Sequence, residues 1–389
     1  MKSLVLYPYP LEYDGQSLQG HYLVKGLNEI GFETLPCGRE DSDSKKLAYE
    51  KFKPDVVFGV GYWGDTPDLI LHPQENGFTP VPWVNADGFV ANYHKELNNL
   101  PLILATSNWV KATYIRDGVK GENIKVAHIG FDPTIFYPRK SYDSSVRDVR
   151  ASFGIEEDEL MLLTIGGDVT SKGAQEIFKA LNKIKNKIPK WKYVCKIWPS
   201  VSTRIWSKVE GKLIEEFGFQ ENIVYTKGDL PPEKMATLLN ACDIYCAPSR
   251  LEGYGMIQVE AQACGKPVIS INVGGPKDTI VQGKTGFLAE VGYEKKFTSK
   301  WVTKAMGFER RHKIKFPEPK TLDYEADIDQ LAEYLEQLMT NKRLRTEMGG
   351  NAIKHAHENL NYRKTAMNIV NLTKQYVLDR QKIRVAQRR

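Results

Sequence analysis

The sequence predicts an α/β protein of two domains, each built on a doubly wound parallel sheet. Three observations predict it. Runs such as Pro54-Asp55-Val56-Val57 and Pro101-Leu102-Ile103-Leu104 have the apolar character of strands covered on both faces. Segments with helical spacing alternate with these runs, the pattern of parallel strands joined by crossover helices. At 389 residues the chain is long enough for two cores, since domains average roughly 150 residues.

Composition narrows the class. Hydrophobic residues at 41% and charged residues at 26% are the balance of a soluble globular chain. The net charge of +6 suits anionic substrates or surfaces and does not call for nucleic acid, which is not expected as a partner. The five cysteines, Cys37, Cys195, Cys242, Cys246 and Cys264, are odd in number and lack zinc spacing. They read as reduced structural residues of a cytoplasmic protein. Met1-Lys2 runs straight into a strand, so no signal peptide is expected. No apolar run approaches the ~18 residues of a membrane-spanning helix.

In the first half, Leu4 to Tyr7 reads as a strand, Pro8 to Gln16 as a loop and Ser17 to Ile30 as a helix stopped by Gly31. Phe32 to Leu35 is the next strand, which completes a βαβ unit. Gly15 stands at the mouth of that helix, either as a turn glycine or where backbone approaches a phosphate. Asp55 to Gly59, Val81 to Asn85, Leu102 to Ala105 and Lys125 to Ile129 are further strands. Asp87-Gly88 follows the second of these. Tyr62, Trp63 and Trp83 near that edge are expected to pack, with stacking on an acceptor the other reading. Ser107 caps a helix running through Ile115. Arg139 to Val149 is polar and reads as the interdomain linker. The domains are therefore placed at 1–140 and at 150–360.

In the second half, Leu160 to Ile165, Tyr193 to Ile197, Ile223 to Tyr225 and Ile244 to Ala247 are strands, and Ala174 to Ile184 and Pro232 to Ala241 are helices. Gly166-Gly167-Asp168-Val169-Thr170-Ser171-Lys172-Gly173 joins the first strand to the first helix. A glycine-rich turn with one lysine at a helix mouth can hold a phosphate, although the P-loop spacing is not met. Pro248 to Gly255 is a second such loop. It carries Glu252 and leads into a Met256 to Ala263 helix carrying Glu260, then Gly265 and a Pro267 to Ile271 strand. Were both glutamates helical, they would lie about 12 Å apart along the axis. That suits an elongated ligand with hydroxyls at both ends and an anion between, the layout of a nucleotide-sugar. A loop carboxylate and a solvated helix charge are the plainer alternative.

Lys295 to Lys320 interrupts the pattern with nine basic residues against Glu309 and Glu318, and with Trp301, Phe308 and Phe316 among them. It reads as a solvated insertion or as peripheral contact with an anionic membrane at its inner face. Ile328 to Met339, Lys342 to Glu358 and a segment from Tyr362 are helices, the last ending in a basic tail, Arg380 to Arg389. Asp41 and Asp327 begin D-x-D patterns but precede helices, so they read as N-caps and no metal site is expected.

These residues carry a family resemblance. Pro248-Ser249, Glu252-Gly253-Tyr254-Gly255, Glu260-Ala261, Ala263, Gly265 and Pro267-Val268-Ile269 resemble the E-x7-E region of glycosyltransferase family 4. Lys172-Gly173, Leu239 to Asp243, Gly274-Gly275 with Asp278, and Thr285 to Leu288 fall in that family's order and spacing. So do Ser107, Trp109-Val110-Lys111, Gly130-Phe131-Asp132, Phe136 and Pro138. The resemblance implies a GT-B architecture: two Rossmann-like domains facing across a cleft, with the C-terminal helix crossing back so that about 362–389 completes the first. It implies hexose-type transfer with retention from a UDP- or GDP-sugar to a hydroxyl of a glycan, lipid-linked or small-molecule acceptor, with no obligatory cofactor. By position, Glu252 would contact the donor sugar and Glu260 the ribose. Gly166, Gly167, Lys172, Gly253, Tyr254, Gly255 and Met256 would hold the diphosphate, with Gly15 approaching from the other domain. The base would lie near Lys227 to Leu230. Glu252, Lys172 and Asp87 form the candidate catalytic set. Two positions depart from the family. Gly167 stands where many members have an arginine, leaving Arg204 or Lys196 to supply that cation. Asp87 stands where many have a histidine. A nucleotide-sugar epimerase, a phosphorylase and a non-catalytic nucleotide-sugar-binding protein stay open as alternatives.

Overall fold

The computed structural model describes residues 1–198 and 201–378. The chain divides into two compact units. The first holds Met1–Phe131, Lys296–Lys320 and the C-terminal segment from Leu360; the second holds Asp132–Lys295 and Thr321–Asn359.

Unit 1 is built on a parallel sheet of β1 (Lys2–Tyr7), β2 (Glu33–Gly38), β3 (Val56–Gly61), β4 (Pro80–Val84), β5 (Ile103–Ala105) and β6 (Ile124–Val126), in the order β2-β1-β3-β4-β5-β6. β3 and β4 are buried along their whole length, which is why they lack polar alternation. The first helix, Gly15–Glu29, begins where Asp14 accepts hydrogen bonds from the Gln16 and Ser17 N–H groups. The C-terminal helix, Tyr362–Thr373, is capped by Asn361 and packs against that first helix. The Tyr362 hydroxyl donates to Glu29 at 2.7 Å, and its ring stacks on Tyr22.

Gly130 makes this docking possible. A Cβ there would lie 2.2 Å from the Tyr362 Cα and 2.4 Å from its N. Backbone on both sides leaves nothing flexible to yield. Gly130→Ala is therefore expected to destabilise unit 1 by roughly 1–3 kcal/mol, measured as a lower urea midpoint.

Unit 2 repeats the plan with β7 (Leu160–Ile165), β8 (Trp191–Ile197), β9 (Ile223–Lys227), β10 (Ile244–Cys246), β11 (Val268–Ile271) and β12 (Gly286–Ala289), in the order β12-β11-β10-β7-β8-β9. One core cluster joins Leu162, Tyr193, Cys195 and Ile269 to Ile177 and Leu181 of the Ala174–Ile184 helix and Leu331 and Leu335 of the Ile328–Thr340 helix. All five cysteines are free and buried. Asp41 and Asp327 cap helices, accepting from the Ser44 and Gln330 N–H groups.

One sequence expectation needs correction. The stretch read as a linker, Arg139 to Val149, contains most of a helix, Ser144–Ser152. Its polar start is a cap: Asp143 Oδ1 accepts from the Ser145 N–H at 2.9 Å. Arg139 is fixed as well, its N–H donating to Asn240 Oδ1 and its guanidinium to Thr237 Oγ1, both at 2.7 Å. The basic insertion has secondary structure that the sequence reading did not assign. It forms two paired strands, β13 (Val291–Val302) and β14 (His312–Ala326). Its outer part lies in unit 1, where Phe316 packs on Phe89 with ring centroids 5.5 Å apart and Asn92 Nδ2 donates to the Gly307 carbonyl at 3.2 Å. Trp301 stays half exposed beneath Arg311, whose guanidinium stands 4.9 Å from the ring centroid. The basic tail, Arg380 to Arg389, lies outside the described residues.

Candidate functional site

The sheet order of unit 2 picks out one place. From β7 the chain steps outward through β8 and β9, then returns to β10 on the other side of β7. The loops after β7 and β10 therefore part at a topological switch point, where open α/β sheets bind ligands. These are the Gly166–Gly173 and Pro248–Gly255 loops.

The two loops are built as one piece. Gly173 has φ of +86°, and a Cβ there would meet the Pro248 carbonyl at 2.4 Å, so glycine is required on both counts. The Arg250 N–H donates to the Ser171 carbonyl at 2.9 Å. Asp168 Oδ1 accepts from the Ser171 N–H at 2.7 Å and so shapes its own turn. Beneath them, Arg250 Nη2 meets Glu176 Oε1 at 2.6 Å, with Glu176 fully buried. Burial raises the Glu176 pKa and Arg250 opposes that. Arg250→Met would strand this carboxylate without its cation. It is expected to cost roughly 3 kcal/mol of stability, readable in chemical denaturation, and to loosen both loops.

Lys172 and Glu252 meet between the loops, Nζ donating to Oε2 at 2.7 Å. Their side chains are 26% and 16% exposed, so water reaches both and a ligand can compete for either. Glu252 Oε1 also accepts from the Tyr254 N–H at 3.4 Å, and its carbonyl accepts from the Gly275 N–H at 2.9 Å. Gly253, Tyr254 and Gly255 are buried and lead into the Met256–Ala263 helix. Gly255 adopts φ of +94° at its N-cap. The Gln258 and Val259 N–H groups already donate to the Gly255 carbonyl at 3.0 and 3.2 Å, which leaves the N–H groups of Met256 and Ile257, at the mouth of the helix, as the ones that favour an anion.

Glu260 lies on this helix and is 3% exposed. It is not the solvated helix charge of the plainer reading. Burial alone pushes its pKa up to about 8. Its charge and that of Glu252 both act on the buried Tyr245 of β10. Gly166 is buried and Gly167 exposed at the start of the β7 loop; Leu230 is half-buried beyond β9. Among the described residues, no group of three or more His, Cys, Asp or Glu side chains is placed to hold a metal ion.

The other two candidates lie in unit 1. Gly15 is exposed and opens the first helix. Asp87 is exposed beyond β4. Burial against the protein raises the pKa of its carboxyl, and the Lys300 ammonium opposes this. His94 sits on the His94–Asn98 helix, with Nε2 2.8 Å from the Asp117 carbonyl. Trp63 and Trp83 are buried, the latter donating to the Ala127 carbonyl. Sequence reasoning missed the Arg250–Glu176 pair and the charge of Lys300 acting on Asp87. The first needed the knowledge that a loop and a helix meet across 74 positions of the chain; the second needed the place where the basic strands fold.

Similarity to solved structures follows the same architecture. Sucrose-phosphate synthase from Thermosynechococcus elongatus superposes with a TM-score of 0.72 at 17% identity, covering 96% of this chain and 98% of that one. Anabaena HepE in complex with UDP and glucose gives 0.70 at 14% identity, covering 96% and 100%. The fold is GT-B. Residues 145–307, most of which lie in unit 2, match the family model described as Glycosyl transferases group 1. A D-inositol 3-phosphate glycosyltransferase from Mycobacterium tuberculosis is 30% identical over 196 residues, 50% of this chain. The chain matches only 38% of that relative's length. Among the described residues of this GT-B chain, no helix is long and apolar enough to cross a membrane.

Proposed function

We propose that the protein is a retaining glycosyltransferase that moves a hexose-type sugar from a UDP- or GDP-sugar to a hydroxyl of a glycan, lipid-linked or small-molecule acceptor. The observation that carries this reading is the Lys172–Glu252 pair at the switch point, with Glu260 buried on the helix that follows. A cation and a carboxylate side by side suit the junction of a donor, where diphosphate meets sugar. Glu252 accepts hydrogen bonds from the sugar hydroxyls, and Glu260 from those of the ribose.

In the transfer step the bond from the anomeric carbon to the leaving phosphate oxygen breaks. Its electron pair stays with the nucleoside diphosphate. Lys172 and the N–H groups of Gly253 to Met256 stabilise the charge that develops, and they are fixed before the reaction begins. The acceptor oxygen bonds to the anomeric carbon on the face the phosphate leaves. In this reading Asp87 takes the acceptor proton, and Gly15 adds a backbone contact to the diphosphate.

The test is a donor screen with product analysis. UDP- and GDP-sugars are first ranked by thermal shift, and the responding donor is then incubated with candidate acceptors. A glycoside with the donor's anomeric configuration, read by NMR coupling constants, is the expected product. An inverted product would remove the retaining assignment, and an isomerised donor without glycoside would favour an epimerase.

A further inference from the structure

Lys196 is a buried cation whose burial no ion pair or hydrogen bond among the described residues offsets. It lies near the end of β8, where its neighbours Cys195 and Ile197 enter the core cluster. Side chains alternate along a strand, so Lys196 projects from the opposite face. The residue is 1% exposed, and its Nζ has no hydrogen-bond partner among the described residues. The ammonium rests over the Trp198 ring, 3.2 Å from the centroid. A ring face attracts the charge but does not satisfy three N–H donors. Burying an ammonium with unused donors is costly, and burial lowers this pKa to about 8.

Its surroundings say what would satisfy it. The Lys196 carbonyl accepts from the Gly166 N–H at 3.1 Å, and the Trp198 N–H donates to the Gly167 carbonyl at 3.2 Å. The residue is thus tied to the glycine turn that leads to Lys172. On the other side it feels the charge of Asp229, next to Leu230. Asp229 is exposed and makes no hydrogen bond to Nζ. Lys196 therefore stands between the strand end assigned to the diphosphate and the strand end assigned to the base.

We infer that Lys196 binds the phosphate group of the donor nearer the nucleoside, as a second cation alongside Lys172. The inference rests on the nucleotide-sugar reading of this site. A phosphate oxygen supplies the acceptors the ammonium lacks, and an anion restores its charge balance. The group is held ready at a cost to the stability of the ligand-free protein.

That trade supplies the test. Lys196→Met keeps the stem over Trp198 and removes the charge. Ligand-free Tm is measured for both proteins. Affinities for nucleoside, nucleoside monophosphate and nucleoside diphosphate follow by thermal shift and calorimetry, in the uridine or guanosine series that wild type answers. The expected result is an unchanged or higher ligand-free Tm, with about tenfold weaker binding of mono- and diphosphate and unchanged binding of the nucleoside. A lower ligand-free Tm with unaltered nucleotide binding overturns the inference, making Lys196 a packing post for Trp198. Equal losses for nucleoside and monophosphate also overturn it, moving the contact to base or ribose. If both Tm and phosphate affinity fall, Lys196→Arg decides: recovered phosphate affinity supports the inference and no recovery overturns it. Wild type that answers neither UDP nor GDP overturns the nucleotide-sugar reading itself, an outcome separate from all of these.

Discussion

Glu252→Ala is expected to lower kcat/KM for sugar transfer about 100- to 1,000-fold with little change in stability. The substitution removes the carboxylate that the donor sugar would bind. It also removes the partner that holds the Lys172 ammonium at 2.7 Å. Lys172 is then free to swing into solvent, so charge stabilisation on the leaving phosphate weakens together with sugar positioning. Both side chains are reached by water, so the unfolding midpoint should move little. Steady-state kinetics with Glu252→Ala and Glu252→Gln check this, together with the slow hydrolysis of donor in the absence of acceptor. Glutamine keeps a hydrogen-bond acceptor for a hydroxyl and loses the charge that fixes Lys172, so its activity should fall between alanine and wild type. Transfer by Glu252→Ala at the wild-type rate would show that the donor sugar sits elsewhere.

Glu260 is expected to make the ligand-free protein less stable as pH rises from about 5 to about 8. Its carboxyl has an ordinary value of 4.5, and burial raises it to about 8 in the folded chain. Between these values the folded protein keeps a proton that the unfolded chain has released. The folded state therefore binds more protons, and unfolding free energy falls with rising pH, by at most about 1.4 kcal/mol per pH unit. The contribution is intact below the unfolded value and lost above the folded one. Across the whole window it is on the order of 5 kcal/mol. Glu260→Gln carries no titrating group, so its curve of stability against pH should be flatter over pH 5 to 8. Urea unfolding of both proteins at half-unit intervals measures the difference in slope. Parallel curves would mean that Glu260 is ionised in the folded state and already satisfied. Above about pH 8, where Glu260 is ionised in the folded protein, the same variant should weaken nucleotide binding, because an amide offers ribose hydroxyls one acceptor oxygen where a carboxylate offers two.

Much of the fold was legible because local rules agreed. The Met256–Ala263 and Pro232–Ala241 helices lie where capping, spacing and glycine punctuation put them. β3, β4, β7 and β10 were readable as unbroken apolar runs. The failures share one cause. In Arg139 to Val149 a cap and an anchored arginine look like a flexible linker, because polarity was read without the partners that fix it. In Lys295 to Lys320 the alternation Lys313-Ile314-Lys315-Phe316 has the period of a strand, but the density of positive charge hides it.

The sequence by itself determined the parallel α/β class, the two glycine-rich loops, and the residue types that suit a nucleotide-sugar: Lys172, Glu252 and Glu260. These follow from chain-local chemistry, in which each strand, loop and helix mouth is written within a dozen residues. Only the tertiary structure decided that Lys172 and Glu252 form one ion pair, that Glu260 is buried and not solvated, and that the Lys196 Nζ has no hydrogen-bond partner among the described residues. These facts depend on strand order and burial. The return from β9 to β10 beside β7 brings residues 80 positions apart within 2.7 Å. The layers over the sheet set the dielectric around each charge, and no spacing along the chain encodes either.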